Sequence, residues 1–96
     1  MNTMIEDMSV MKPWFDDPAT EEMAILCMQR ASMAAYLRAS RKPKLVAKAA
    51  ALLRDASKAS KIPYSVIERY SRGVEALHML ARKERAKIAA GGKHGK

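Results

Sequence analysis

From Lys44 to Ser60 the chain contains neither glycine nor proline, and a proline closes the run on each side, at Pro43 and Pro63. An alanine-rich segment bracketed by residues that lack an amide hydrogen favours helix throughout, as one helix or as two. It buries Leu45, Val46, Ala49, Leu52 and Leu53 at helical spacing and exposes Lys44, Lys48 and Arg54. Upstream, Asp16-Asp17-Pro18 predicts a helix start, with Asp17 as N-cap, Pro18 in the first turn and Glu21 and Glu22 near the positive helix end. That helix is expected to run to about Ser40, with Met23, Leu26, Cys27, Met33, Ala34 and Leu37 on its apolar face and Arg38 and Arg41 near its negative end. Trp14 and Phe15 precede the cap as a candidate hydrophobic staple.

Few aromatics, many alanines and scarcely any β-branched runs predict an all-α fold, a small helical bundle of three to five helices. The 96 residues suffice for one domain with a modest core. Residues 1–15 read as an acidic, Met-rich arm that packs loosely or stays mobile, residues 16–90 as a single helical domain, and residues 91–96 as a disordered basic tail after Gly91-Gly92. No stretch is apolar enough to span a bilayer, and Met1-Asn-Thr-Met-Ile-Glu-Asp carries acid where a signal peptide carries positive charge. A cytoplasmic protein without membrane association is expected.

The stretch Ser57-Lys-Ala-Ser-Lys-Ile-Pro-Tyr-Ser-Val-Ile-Glu-Arg-Tyr-Ser-Arg-Gly73 reads as a helix end, a tight turn and a second helix. Pro63 disfavours the helical conformation at Ile62 and permits a new helix to begin at once. Val66, Ile67 and Tyr70 then recur at helical spacing, while Ser65, Glu68, Arg69 and Arg72 fall largely on other faces. Gly73 is expected to stop this helix in a left-handed conformation. A further helix covers Val74 to about Ala89, fused to the preceding one if Gly73 is merely tolerated. Small Ala56 and Ala59 suit two helices that approach closely at a short turn.

Lys58, Ala59, Ser60, Ile62, Pro63, Tyr64, Ser65, Ile67, Arg69, Tyr70, Arg72 and Gly73 match a pattern that resembles the repressor-type helix-turn-helix domains of bacteria and their phages. The resemblance covers about residues 56–81, with the helix-turn-helix over about residues 44–73. It implies base-edge contacts from Tyr64, Ser65 and Arg69, and a phosphate contact from Arg72. Arg69 is the candidate for guanine, because its fork can bond two acceptors on one base edge. Where the family usually has a turn glycine this chain has Lys61, which must then accept a positive φ. The alternative is an ordinary helical hairpin with a proline turn.

Charge is distributed unevenly around the formal net of +8: Met1 to Glu22 holds six acids against Lys12 alone, whereas the remainder holds 17 bases and four acids. Such a body attracts polyanions, and Lys58, Lys61, Arg82, Lys83 and Arg85 join Arg72 as candidate phosphate contacts. The acidic arm could lie on the basic body and compete with DNA, in which case deleting Met1 to Met11 tightens binding.

The lone Cys27, among Ile25, Leu26 and Met28, is expected to act as a small buried hydrophobe. His78 and His94 stand far apart, and no constellation of catalytic, metal-binding or cofactor-binding residues is present in the sequence. Met23, Met28, Met33 and Met79 are expected mainly in the core, with a dimer or partner groove as the other use. Taken together, the residues predict a small, non-enzymatic, sequence-specific DNA-binding regulator of phage, plasmid or bacterial type that binds duplex DNA as a homodimer. A rival from another class is a basic helical protein that binds and inhibits a protein or nucleoprotein partner.

Overall fold

The computed structural model describes residues 7–94, and the described chain is all helical with no strand. After a helical segment at residues 7–9 come α1 (Lys12–Phe15), α2 (Glu21–Ala39), α3 (Pro43–Ser60) and α4 (Tyr64–His94). Cross-links between side chains and backbone give the topology. The Cys27 thiol faces the carbonyl of Ala56, and the two residues lie about equally far from the short turn joining α2 to α3, so those helices are antiparallel. Ser71 bonds to Ala31, Arg38 to Glu75 and Arg82 to Ala39, so α4 runs parallel to α2. The result is an up-down-up bundle in which α2 packs extensively on both α3 and α4, while α3 and α4 touch more sparingly.

The core is built on small side chains. Ala24, Cys27, Ala31, Ala34 and Ala35 form the buried stripe of α2, facing Ala49, Leu53 and Ala56 of α3 and Ile67, Tyr70 and Val74 of α4. Met23 and Met33, expected inside, are exposed, and so is Val46. Close approach of three helices leaves room for alanine along their shared line and moves the bulkier residues to its flanks. Leu26, Leu37, Leu45 and Leu52 are half-buried there.

Residues 7–15 pack against this core rather than forming a loose arm, and residues 1–6 of the expected arm lie outside the described residues. Met11 is buried, with Met8, Val10 and Trp14 packed against the cluster, whereas Phe15 is largely exposed. Asp17 does not cap α2. Its carboxylate accepts from the Ala19 amide at 3.0 Å and shapes a turn, and α2 begins three residues after Pro18 at Glu21. Thr20, the residue before it, donates its hydroxyl to the Trp14 carbonyl at 2.7 Å, which ties α1 to the start of α2.

The two tight turns share one design, twenty positions apart. In Ser40-Arg41-Lys42-Pro43 the Ser40 hydroxyl donates to the Leu37 carbonyl and accepts the Lys42 amide. Arg41 is left-handed at φ 60°, and Pro43 opens α3. In Ser60-Lys61-Ile62-Pro63 the Ser60 hydroxyl donates to the Ala56 carbonyl and accepts the Ile62 amide, and Lys61 is left-handed at φ 64°. Each serine donates to a carbonyl of the closing helical turn and accepts an amide from the residues beyond it, so the turn is tied to the helix end. Each proline presets the first turn of the following helix.

Two expected breaks are absent. Gly73 is buried inside α4, and no described glycine has a positive φ, so the predicted third and fourth helices are one. A glycine pressed into a helix contact has no need of its left-handed option. The helix likewise continues through Gly91-Gly92 to His94, where a basic tail without structure was expected. Because α2 ends level with Arg82, the rest of α4 extends beyond the body, and residues 81–90 are all exposed.

Candidate nucleic-acid interface

The site begins at the second turn. The Lys61 amide closes α3 on the Ser57 carbonyl at 2.8 Å, and the Ser57 hydroxyl reaches across to the Ile62 carbonyl at 2.7 Å. Ile62 is buried as the anchor of the turn, and the Pro63 carbonyl receives the amides of Val66 and Ile67 as α4 starts. Lys61 therefore takes the left-handed backbone that a glycine adopts freely, at a cost of about 1 kcal/mol for a residue with a Cβ.

From this turn α4 buries Ile67, Tyr70 and Val74 against the core and leaves Ser65, Arg69 and Arg72 exposed. Their spacing of four and three residues places all three on one face. Lys58 and Lys61 are exposed at the adjacent end of α3, and neither pairs with a carboxylate among the described residues. Tyr64 is half-buried against the core cluster. With Arg54, Ser57 and Lys58 it lines a shallow depression between the end of α3 and the start of α4. Arg54 was placed on the exposed face by its helical position, but only the fold brings it beside Tyr64.

The remaining candidates divide. Arg69 donates from Nε to Asp7 Oδ1 at 2.8 Å, and its side chain remains about half exposed (53 %). Arg72 reaches back one turn to Glu68 at 3.4 Å, an exposed pair of small energetic weight. Arg82 donates to the Ala39 carbonyl at 3.2 Å, the last residue of α2, and so serves as a cap between helices. Lys83 and Arg85 are exposed on the extension of α4, distant along the helix from the turn. Nearly three helical turns separate Arg72 from Arg82, so the phosphate candidates form two groups rather than one patch.

Elsewhere the surface offers little chemistry. Burial pushes the Cys27 thiol up, with a hydrogen bond to Ser60 opposing, and the Tyr70 phenol is raised in the same way against a bond to Ser32. No cluster among the described residues has the three or more His, Cys, Asp or Glu side chains that could hold a metal, and no described helix is long and apolar enough to cross a membrane. No family model, curated protein or solved structure matches the chain.

Proposed function

We propose that the protein is a small sequence-specific DNA-binding regulator, acting as a homodimer in the cytoplasm and not as an enzyme. The observation that carries this reading is the exposed face of Ser65, Arg69 and Arg72 on the first turns of α4, directly after a left-handed turn flanked by Lys58 and Lys61. A helix presenting hydroxyl and guanidinium groups near its start can lie in the major groove, where those groups bond base edges. Lys58, Lys61 and Arg54 then stand beside the groove wall, suited to phosphates. The resemblance to repressor-type domains over about residues 56–81 supports the same reading and a phage, plasmid or bacterial setting.

The mechanism is occupancy: a bound dimer on a palindromic site excludes or recruits polymerase. A single reading helix recognises few base pairs, and a twofold arrangement doubles them. Selection of bound fragments from a random duplex library at near-physiological salt tests the reading. Enrichment of a palindromic motif is expected, and recovery of unenriched sequence overturns it.

A second reading is favoured by exposed Met33 and Tyr36 on α2 and Leu77 and Leu80 on α4, with the Tyr36 and His78 rings in edge contact across those helices. Apolar side chains so placed suit a protein partner, and a basic interaction protein would use them without reading DNA.

A further inference from the structure

Asp7 meets Arg69 in a way that bears on which atoms of the arginine remain available. The bond is made by Nε alone, and neither Nη group is engaged by a described residue. A guanidinium carries one N–H on Nε and two on each Nη, so no described residue occupies the fork of Nη1 and Nη2. That fork matches the O6 and N7 acceptors of guanine. Asp7 is itself held in place. It lies in the helical segment at residues 7–9, followed by half-buried Met8 and Val10 and by the fully buried Met11. The carboxylate is thus tied to the core four residues away, and only 29 % of its side-chain surface is exposed.

We infer that Asp7 is a positioning residue for Arg69: it grips the Nε side of the guanidinium and presents the Nη fork to a guanine in the major groove. The inference rests on the proposed DNA reading. It opposes the expectation that the acidic amino terminus competes with DNA, because a competing carboxylate would occupy the Nη fork instead of the Nε edge. An arginine fixed before binding has less freedom to lose on contact, so its base preference sharpens. The carboxylate also brings negative charge near the duplex and disfavours binding where no guanine repays the approach. Deleting Met1 to Met11 does not isolate this effect, since it removes the buried Met11.

The test uses the full chain, its D7A, R69A and D7A/R69A variants, the duplex enriched by the wild type, and that duplex with each guanine replaced in turn. Alanine is used at position 7 because asparagine would keep an oxygen able to accept from Nε. R69A is expected to erase the preference at one guanine, by between about fivefold and about a hundredfold. D7A is expected to erase part of the same preference, about threefold or more, without weakening binding to unrelated duplex. The double variant should behave as R69A alone, because Asp7 acts only through Arg69. Loss of the slowed Arg69 Nε–H exchange in D7A, seen by NMR without DNA, reports the pair itself. A guanine preference that D7A leaves intact, or D7A binding that is tighter with unchanged preference, overturns the inference alone. Absence of any base preference in the wild type removes the proposed function as well.

Discussion

The hydroxyl of Ser71 on α4 donates to the carbonyl of Ala31 on α2 at 2.8 Å, in the buried centre of the bundle. The same oxygen accepts from Arg38 Nη2 at 3.3 Å, while Arg38 Nε bonds Glu75 at 3.0 Å. One serine therefore registers two parallel helices and orients a largely covered ion pair. Ser71→Ala should cost about 1 kcal/mol in urea denaturation, the net value of one hydrogen bond, because Arg38 keeps Glu75. Ser71→Leu should cost more, since there is no space beside Ala31 for the added carbons.

Arg41 and Lys61 both hold left-handed backbone with a Cβ in place. Arg41→Gly and Lys61→Gly should each stabilise the fold by about 0.5–1 kcal/mol, the relief of strain exceeding the added freedom of the unfolded chain. Thermal or urea melts measure it. On the DNA-binding reading, Lys61→Gly should also lower the slope of log affinity against log salt by about one, whereas Arg41→Gly should leave that slope unchanged.

Arg82 and Lys83 adjoin in sequence and differ in role. Arg82→Ala should cost about 1 kcal/mol of stability through loss of the Ala39 cap. Lys83→Ala should leave stability unchanged, its side chain being exposed on the extension of α4. Paired denaturation curves of the two variants separate these outcomes.

Burial raises the pKa of both Cys27 and Tyr70, which makes stability sensitive to alkaline pH. Both have their acid forms favoured in the folded chain, so their pKa values lie above the ordinary 9.0 and 10.0. Above those values the unfolded chain releases protons that the folded chain retains, and stability falls as pH rises toward the folded pKa values. Stability against urea should accordingly decline from about pH 9, and Cys27→Ala should flatten the first part of that decline. Native Cys27 should resist alkylation until the chain opens.

The helical class and the helicity of Lys44–Ser60 followed directly from where glycine and proline stand, whereas its continuity as one helix did not. The inside of α2 did not, because Met23 and Met33 share its helical periodicity with Ala24, Ala31 and Ala35, and only the closeness of the neighbouring helices decides which set goes inward. Gly73 and Gly91 misled for a related reason: glycine permits a left-handed stop without requiring one. The repeated Ser-basic-X-Pro turn was written at positions 40–43 and 60–63, twenty residues apart, but its meaning depends on hydroxyl bonds that local pattern does not disclose. At the candidate interface, Ser65, Arg69 and Arg72 could be placed on one face from spacing alone. The union of Arg69 with Asp7 crosses 62 positions and becomes visible only when the amino-terminal segment is seated in the core.

The alanine line along α2 has an evolutionary consequence. Where backbones nearly touch, a position tolerates alanine, serine or glycine and little else, so drift at Ala31, Ala34 and Ala35 is confined to a narrow lane. A few of the smallest side chains thus become the most constrained letters of this sequence, while the large methionines on the outside are free to vary.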